Sequence, residues 1–327
     1  MKVNQSKFIV ITPVYEDVEA SSRLFKELVF QFQNDVFVVA VDDGSLSQPL
    51  TINCLENARI DGVVLKLKRN VGHQRAIAIG LGYASENIVD ERYVIVMDSD
   101  GEDIPSTISD LLQQLKADDV DVVVAQRKNR VETLRFKVFY LVYKYLFRFM
   151  TGRAISFGNF MALKPHAVRR LVAMQELSIH VASTVLASKL RTGMCPLDRG
   201  PRYAGQSKAN FIFQVLHGFK ALMVFAEDVL VRVGTACALI ASFSLIGAVL
   251  AIILKLLGVA TPGWFSVALG ILVLMLLQTG GLALMTLMLT GVVRSGNNTA
   301  VMAYHEFVDQ VLETSAPVTK NLTVKLI

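Results

Sequence analysis

Short apolar runs separated by longer amphipathic stretches fill the chain up to about residue 125. The runs are rich in β-branched residues, and the stretches between them, such as 21–32 and 74–84, repeat apolar residues at helical spacing. The five runs cover residues 8–12, 36–41, 63–67, 93–97 and 120–125. Strands that alternate with helices predict an α/β domain with a mostly parallel sheet.

Two later stretches, 134–150 and 211–225, mix aromatic and apolar residues with basic ones such as Lys144 and Lys220. Both stretches are predicted to be amphipathic helices. Taken alone, packing on the core of the same domain is the simpler explanation for such helices. Beside membrane-spanning segments, we expect them to lie in the membrane interface with their basic side chains near lipid headgroups.

Two segments without any charge, 233–254 and 265–293, follow these stretches. Each is long enough to cross a hydrocarbon core of ~30 Å, and a turn around Pro262 separates them. Two buried helices of a soluble domain are the weaker explanation, because charge-free runs of this length are rare there. Arg232 and Arg294 flank the pair, so the positive-inside rule predicts that the α/β domain and both termini are cytoplasmic.

These segments set the predicted domain boundaries. They are an α/β domain at 1–210 that includes the interfacial helix 134–150, a juxtamembrane helix at 211–228, a transmembrane hairpin at 229–294, and a cytoplasmic tail at 295–327 with one helical stretch over 301–312. Composition agrees: hydrophobic residues make up 53% of the chain and the net charge is +5. A basic balance without a nucleic-acid motif favours anionic lipid surfaces and phosphate-bearing substrates. The three cysteines predict no disulfide framework.

Acidic residues are concentrated directly after the apolar run 93–97. The five residues from Asp98 hold three acids, Asp98, Asp100 and Glu102, and Gly101 permits a tight turn. Such clustering is costly unless a cation balances it, and hard oxygen ligands suit Mg²⁺ or Mn²⁺ bridging a diphosphate. A solvated acidic turn that caps the next helix is the simpler alternative.

Polar residues also follow the first two predicted strands. Pro13 is predicted to end the first strand, while Tyr15 offers a stacking face and Asp17 an acceptor. Asp43 follows the second strand, at the edge of a parallel sheet where ligands usually bind. A structural role for Asp43 or Ser45 as a helix N-cap is equally open at this stage.

The order of these motifs resembles that of the family 2 glycosyltransferases with the GT-A fold: Pro-x-Tyr, then Asp-Asp-Gly-Ser, then Asp-x-Asp, each after a strand. Residues 70–73 followed by Ala76 and Gly80 are similar to a further stretch of that family. The two charge-free segments narrow the resemblance to polyprenyl-phosphate glycosyltransferases, the relatives of dolichol-phosphate mannose synthase. The resemblance implies an inverting hexosyltransferase of the inner membrane. Its donor would be a nucleotide-sugar, with UDP-sugars favoured, its acceptor undecaprenyl phosphate, and its product a lipid-linked sugar for cell-envelope glycans.

The resemblance also implies roles for individual residues. The nucleotide-sugar would contact Pro13, Tyr15, Asp17, Asp43, Asp98 and Ser99. Asp98, Asp100 and Glu102 would hold Mg²⁺ or Mn²⁺. Asp100, Arg127, Arg202 and Lys208 would act on the reacting diphosphate, and Arg135 would meet the acceptor phosphate. The stretch from Arg202 to Lys208 resembles the Arg-x-x-Gly-x-Ser-Lys loop that closes over the donor.

One stretch departs from the family. Ser156, Asn159 and Met161 stand where relatives carry an acidic segment that ends in Asp-Phe-Arg. The alternative of a catalytically impaired scaffold or lipid-binding partner subunit therefore stays open. A processive polysaccharide synthase would carry Gln-x-x-Arg-Trp, whereas the single tryptophan is Trp264. A transporter would need more spans or oligomers, and homo-oligomers are compatible with a two-span anchor. The five histidines lack ligand spacing and are predicted to be structural.

Overall fold

An eight-stranded mixed sheet forms the centre of the α/β part of the computed structural model. The structure describes residues 6–87, 92–117, 119–127, 134–204, 211–259, 261, 263–296 and 303–314. The strands are β1 (Phe8–Val14), β2 (Val36–Asp42), β3 (Gly62–Leu67), β4 (Tyr93–Val96), β5 (Val122–Arg127), β6 (Met161–Leu163), β7 (Thr192–Leu197) and β8 (Val308–Glu313). Their order across the sheet is β7-β5-β6-β4-β1-β2-β3-β8.

The strand pairing is mostly parallel. β1 pairs in parallel with β2 and β4, β2 with β3, and β5 with β7. Among the strands that the structure describes, β6 and the edge strand β8 alone run antiparallel to their neighbours. β1 to β5 and β7 therefore end at the same edge of the sheet, which we call the carboxyl edge. The predicted α/β class with a mostly parallel sheet is confirmed.

Helices cover both faces of this sheet. They are α1 (Val18–Phe32), α2 (Ile52–Ala58), α3 (His73–Asn87), α4 (Ile108–Ala117), α6 (Pro165–Val172) and α7 (Val181–Ala187). Two further helices are α5 (Leu134–Thr151), between β5 and β6 in the chain, and α8 (Phe211–Met223), after β7. Ile9 and Ile11 of β1 face one core with α3, whereas Val10 and Val14 face the other core with α1. This alternation is the two-residue period that a strand buried on both faces requires.

Two long apolar helices follow, α9 (Ala226–Leu256) and α10 (Trp264–Gly296). Both are long and apolar enough to cross a membrane. They expose large apolar side chains, among them Ile246 at 63% and Leu287 at 70%, which the core helix of a soluble domain would bury. The chain divides into two compact units. The first comprises Met1–Lys137, Ile155–Val224 and Val301–Ile327, and the second Val138–Ala154 and Phe225–Ala300.

Within the second unit, α5 is fixed to the start of α9. Arg232 donates to the carbonyl oxygen of Phe149 at 2.8 Å, and the rings of Phe147 and Phe225 meet edge to face at 5.7 Å. A cation at the last carbonyls of a helix satisfies acceptors that have no partner within the helix. Arg232, the predicted flanking charge of the first span, thus also caps α5.

Two local predictions are wrong. Pro13 does not end the first strand, which continues to Val14. The helix predicted over 301–312 is instead a short 3-10 turn at Tyr304–Glu306 followed by β8, while residues 301 and 302 lie outside the described part. β8 pairs with β3, with Glu313 opposite Val63. The free edge of β3 supplies backbone hydrogen bonds that outweigh local helix propensity.

Candidate functional site

The turn that follows β4, residues 98–103, gathers four acids at the carboxyl edge and is called the acidic turn below. The backbone N–H of Asp98 donates to Asp103 at 2.9 Å, and that of Glu102 donates to Asp100 at 3.0 Å. Gly101 has φ +88°, a left-handed conformation that favours glycine. Hydrogen bonds from backbone N–H groups of the turn to its own carboxylates therefore hold it in shape.

Two arginines supply partners for these acids. They belong to residues 199–203, called the basic segment, which follow β7. Arg202 contacts Asp100 at 2.8 Å and Glu102 at 3.0 Å, and Arg199 pairs with Glu102. Arg202 was predicted for this site, whereas Arg199 was missed. An arginine three residues before Arg202 was visible in the sequence, but no motif marks it.

The backbones of the two segments also meet. Gly200 N–H donates to the carbonyl of Glu102 at 2.9 Å, and Tyr203 N–H donates to that of Asp100 at 2.8 Å. A Cβ at Gly200 would lie 2.7 Å from the Gly101 carbonyl oxygen, closer than side chains tolerate. Glycine at position 200 therefore permits this close approach.

The charge at the acidic turn is only partly balanced. Burial raises the pKa of Asp100 above its ordinary value and Asp98 raises it further, while Arg202 and Arg199 lower it. Burial opposes the charge of His73, yet Asp98, 3.3 Å away, and the neighbouring acids raise its pKa overall. A further cation would relieve the repulsion that remains among the acids.

Asp98, Asp100 and Glu102 were predicted to hold a divalent cation. Among the residues that the structure describes, no three His, Cys, Asp or Glu side chains surround a common metal position. Mg²⁺ in enzymes is commonly held by one or two carboxylates together with substrate phosphates, so a complete protein cage is not required. Asp98 and Asp100 fit that arrangement in donor chemistry. Glu102 fits it less well, because Arg199 and Arg202 engage its two oxygens.

The predicted nucleotide-side residues surround the ends of β1 and β2. Pro13 is buried within β1, Tyr15 is 46% exposed, and Asp17 accepts weakly from Ala20 N–H at 3.4 Å as the N-cap of α1.

Asp43 is 3% exposed and accepts from the backbone N–H groups of residues 71 and 72, at 2.7 and 3.0 Å. Burial raises the pKa of Asp43, and these two hydrogen bonds oppose the rise. Asp43 therefore fastens the turn after β3 to the end of β2.

Glu16 was not predicted as part of the site. Its carboxylate accepts from the backbone N–H groups of residues 46, 47 and 48, at distances from 2.7 to 3.2 Å. Three N–H donors on one carboxylate order the loop after β2. A lone glutamate after a strand gives no sequence signal for such a role.

The stretch that departs from the family lies beside the acidic turn. Asn159 Nδ2 is 3.0 Å from Nε2 of His73, and Asn159 lines one pocket with Asp98, Glu102 and Arg199. Ser156 contacts Gln126 at 3.4 Å. Met161 is fully buried in β6, so that position faces the core. His73, predicted to be structural, is in contact with the site.

Several predicted residues have no described side chain. Arg127 ends β5 at the carboxyl edge and Arg135 lies in α5, but only their backbones are described. Lys208 lies outside the described residues. Ser99 is 8% exposed within the acidic turn. The roles of these four residues stay predictions.

A mostly parallel α/β sheet with charged loops at its carboxyl edge is the architecture of proteins that bind nucleotides at that edge. The sequence comparisons are more specific. Residues 9–177, more than half of the chain, match the family described as Glycosyl transferase family 2. The chain belongs to this family.

Among similar proteins is the uncharacterized glycosyltransferase sll0501 of Synechocystis sp. (strain ATCC 27184 / PCC 6803 / Kazusa). It is 28% identical over 294 residues, which cover 86% of this chain and 88% of the relative. The uncharacterized glycosyltransferase YkoT of Bacillus subtilis (strain 168) is 25% identical over 304 residues, 89% of this chain and 87% of the relative. Among solved structures, glucosyl-3-phosphoglycerate synthase from Mycobacterium tuberculosis, in complex with Mn²⁺, UDP-glucose and phosphoglyceric acid, matches with a TM-score of 0.48 at 13% identity, covering 70% of this chain and 81% of that one.

Proposed function

We propose that this family 2 glycosyltransferase moves a hexose-type sugar from a nucleotide-sugar, with UDP-sugars favoured, to a polyprenyl phosphate. The observation that carries the proposal is the combination, in one chain, of a charged site at the carboxyl edge with two helices apolar enough to span a membrane. A soluble acceptor gives no reason for such helices, whereas a lipid phosphate does. Undecaprenyl phosphate is the acceptor that we test first, with cell-envelope glycans as the destination of the sugar.

The donor's diphosphate is proposed to lie between the acidic turn and the basic segment. Asp98 and Asp100 would hold Mg²⁺ or Mn²⁺, which would supply Lewis-acid neutralisation of the negative charge of the diphosphate. Arg202 and Lys208, with Arg127 from the end of β5, would stabilise the charge that develops on the leaving diphosphate. Pro13, Tyr15, Asp17 and Asp43 would form the nucleoside side, with Asp43 acting through the turn that it fastens.

The proposed reaction is a single displacement. An oxygen of the lipid phosphate forms a bond to the anomeric carbon while the bond from that carbon to the nucleoside diphosphate breaks, so the configuration inverts. A phosphate is already ionised at neutral pH, and the attacking oxygen therefore needs no general base. Asn159 in place of an acid is compatible with this chemistry. Positioning and charge stabilisation remain as the tasks of the protein, with Arg135 as the proposed contact for the acceptor phosphate.

Chain connectivity supports one side of the membrane for the whole first unit. β1 to β7 precede the two apolar helices, and β8 follows them into the same sheet. A chain that crosses a membrane twice returns to the side from which it started. Arg232 and Arg294 at the outer ends of the helices favour the cytoplasmic side. We therefore propose a multi-pass protein of the inner membrane with the sheet in the cytoplasm.

The test uses purified full-length protein with Mn²⁺ or Mg²⁺, undecaprenyl phosphate and a panel of radiolabelled nucleotide-sugars, with label counted after organic extraction. Label from one donor that depends on both lipid and metal is the expected result. Label released into water without transfer to lipid would contradict the acceptor assignment.

A second candidate function is a catalytically impaired scaffold or lipid-binding partner subunit. It is favoured by the arginine pairs on Asp100 and Glu102, which occupy the acids, and by the neutral Ser156 and Asn159. Folded protein that binds neither a nucleotide-sugar nor Mn²⁺ would support this alternative and overturn the proposed transfer.

A further inference from the structure

Tyr203 occupies the junction of three segments of the first unit. Its backbone N–H donates to the Asp100 carbonyl, and its ring lies against Gly101, where an added Cβ would come within 2.6 Å of the ring carbons. Its hydroxyl donates to Glu27 of α1 at 2.5 Å. The acidic turn, the basic segment and α1 therefore all meet at one side chain.

A cation completes this arrangement. The Arg23 guanidinium lies 4.5 Å from the centre of the Tyr203 ring and 3.2 Å from Glu27, which accepts the Tyr203 hydroxyl. The ring also packs against the core on the α1 face of the sheet. An aromatic side chain with a hydrogen bond, a stacked cation and a core contact has little freedom to move. Because Arg202 precedes Tyr203 in the chain, the fixed position of Tyr203 also fixes that of Arg202 relative to Asp100 and Glu102.

We propose that Tyr203 is a positioning residue that holds Arg199 and Arg202 on the acidic turn, where they balance Asp100 and Glu102 until the diphosphate of the donor takes over the two guanidinium groups. This inference rests on the proposed function, because it requires a diphosphate ligand. The arginine pairs then have two opposite consequences. They oppose binding of a bare divalent cation by the acids, and they favour binding of a cation that arrives with a diphosphate.

The test compares the affinity for Mn²⁺ alone with the affinity for Mn²⁺-pyrophosphate, because the two are expected to change in opposite directions. Tyr203→Ala frees the basic segment from α1 and the turn, so the acids lose their internal counter-charges. Full-length Tyr203→Ala is therefore expected to bind Mn²⁺ alone more tightly than the wild type, by about threefold or more, since ~0.6 kcal/mol of lost competition suffices. The same variant is expected to bind inorganic pyrophosphate with Mn²⁺ about tenfold more weakly, as the loss of one preorganised charged contact predicts. Electron paramagnetic resonance of free Mn²⁺ and titration calorimetry measure the two affinities.

Graded and matched variants separate positioning from folding. Tyr203→Phe keeps the ring on Gly101 and loses only the hydroxyl, so both shifts should be smaller with the same signs. Glu27→Gln keeps an acceptor oxygen and should resemble the wild type. Tyr93→Ala is the matched control, because Tyr93 is also partly buried against the same core with a cation, Lys116, 5.6 Å from its ring. Its removal should change neither affinity.

The outcomes are distinct. Opposite shifts in Tyr203→Ala, with Tyr93→Ala unchanged, support the inference. Shifts of the same sign, or none, in a wild type that binds Mn²⁺-pyrophosphate overturn the inference and leave the proposed function intact. A wild type that does not bind Mn²⁺-pyrophosphate overturns the diphosphate site itself, and the inference with it.

Discussion

A partly buried and a buried aspartate, Asp100 and Asp121, lie at opposite edges of the same sheet and have pKa values shifted in opposite directions. Asp100 lies in the acidic turn at the carboxyl edge, where burial and Asp98 raise its pKa despite Arg202 and Arg199. Asp121 precedes β5 at the other edge, where hydrogen bonds from Arg191 hold its pKa well below the usual range although burial opposes them. Both carboxylates contact arginine, so the presence of a cation is not what distinguishes them.

The difference lies in how completely each carboxylate is satisfied. Asp121 accepts from the Arg191 backbone N–H at 2.9 Å, from its guanidinium at 2.7 and 3.1 Å, and lies 3.0 Å from a nitrogen of His166. At the acidic turn, Arg202 contacts both Asp100 and Glu102 and Arg199 pairs with Glu102, yet burial and Asp98 still raise the pKa of Asp100, so its negative charge is incompletely balanced. A charge that the fold leaves unbalanced is available to a ligand, and such sites are where function concentrates. Asp121 stabilises the fold, and Asp100 is proposed to bind the ligand.

The largest effect that this comparison predicts is the loss of turnover in Asp100→Asn. If the unbalanced charge binds the cation and diphosphate, turnover should fall by about 100-fold or more, as for the loss of one preorganised electrostatic group. The thermal unfolding midpoint should change little, because the removed charge was costly in the fold. The measurements are transfer of labelled sugar to lipid and unfolding followed by circular dichroism. Full activity without added metal would contradict the assignment of Asp100.

Asp121→Asn should give the reverse result. The neutral amide cannot accept all the donors that converge on Asp121, and an unpaired buried donor costs about 1–3 kcal/mol. The unfolding midpoint should therefore fall, while turnover for each folded molecule stays near that of the wild type. Asp35→Asn is a control, since Asp35 is an aspartate whose ion pair with Lys7 is exposed. A loss of turnover in Asp121→Asn without a loss of stability would reverse the roles of the two edges.

The sequence was sufficient for those parts of the fold that depend on local pattern. The five apolar runs became β1 to β5 within two residues at their starts, and the acids after 93–97 lie at the carboxyl edge because parallel strands end there. β6 has three residues, too few for a pattern to stand out, and β7 reads Thr-Gly-Met-Cys-Pro-Leu, with a glycine and a proline that strands disfavour. β8 was predicted as helix because its partner β3 lies more than 240 residues earlier, beyond the reach of any local pattern.

The site was predictable only in part for the same physical reason. Asp98, Asp100 and Arg202 belong to motifs whose order is visible along the chain. The roles of Arg199 and Tyr203 depend on contacts with residues about 100 and 176 positions away. No pattern in the adjacent sequence indicates those contacts. Met161 was aligned with an arginine of the family, but the strand pairing of β6 turns it into the core.

The pH dependence of stability distinguishes Asp121 from Asp100, because the fold shifts their pKa values in opposite directions. The pKa of Asp121 is lowered in the fold, so its stabilisation is complete above the unfolded value of 3.8 and is lost as pH falls through and below it. The pKa of Asp100 is raised, so protonation of Asp100 favours the folded state as pH falls toward 3.8. Between pH 5 and 3, stability should decline less steeply in Asp121→Asn than in the wild type and more steeply in Asp100→Asn. Urea unfolding at several pH values measures both slopes, and equal slopes would remove the electrostatic distinction between the edges.

The smallest expected effect tests whether a buried histidine, and not a carboxylate, causes the loss of stability as pH falls below neutral. His180 is 3% exposed, accepts the Ser183 N–H at its Nδ1, and has its Nε2 3.0 Å from that of His217. Burial, followed by His217, lowers the pKa of His180 to about 3. Below the unfolded value of 6.5, the unfolded chain takes up a proton that the folded chain refuses, so stability declines as pH falls from 6.5 toward 3.

His180→Asn keeps a side-chain oxygen that can cap α7 and removes this titration. The unfolding midpoint of the wild type should therefore fall more between pH 7 and 5 than that of His180→Asn, in a range above that in which Asp121 is protonated. His305→Asn is the control, because the side chain of His305 is 67% exposed, and its midpoint should follow the wild type. If His180→Asn kept the full slope between pH 7 and 5, the acid sensitivity in that range would have to come from another histidine whose pKa burial lowers, such as His217, because protonation of a carboxylate with a raised pKa favours the folded state as pH falls.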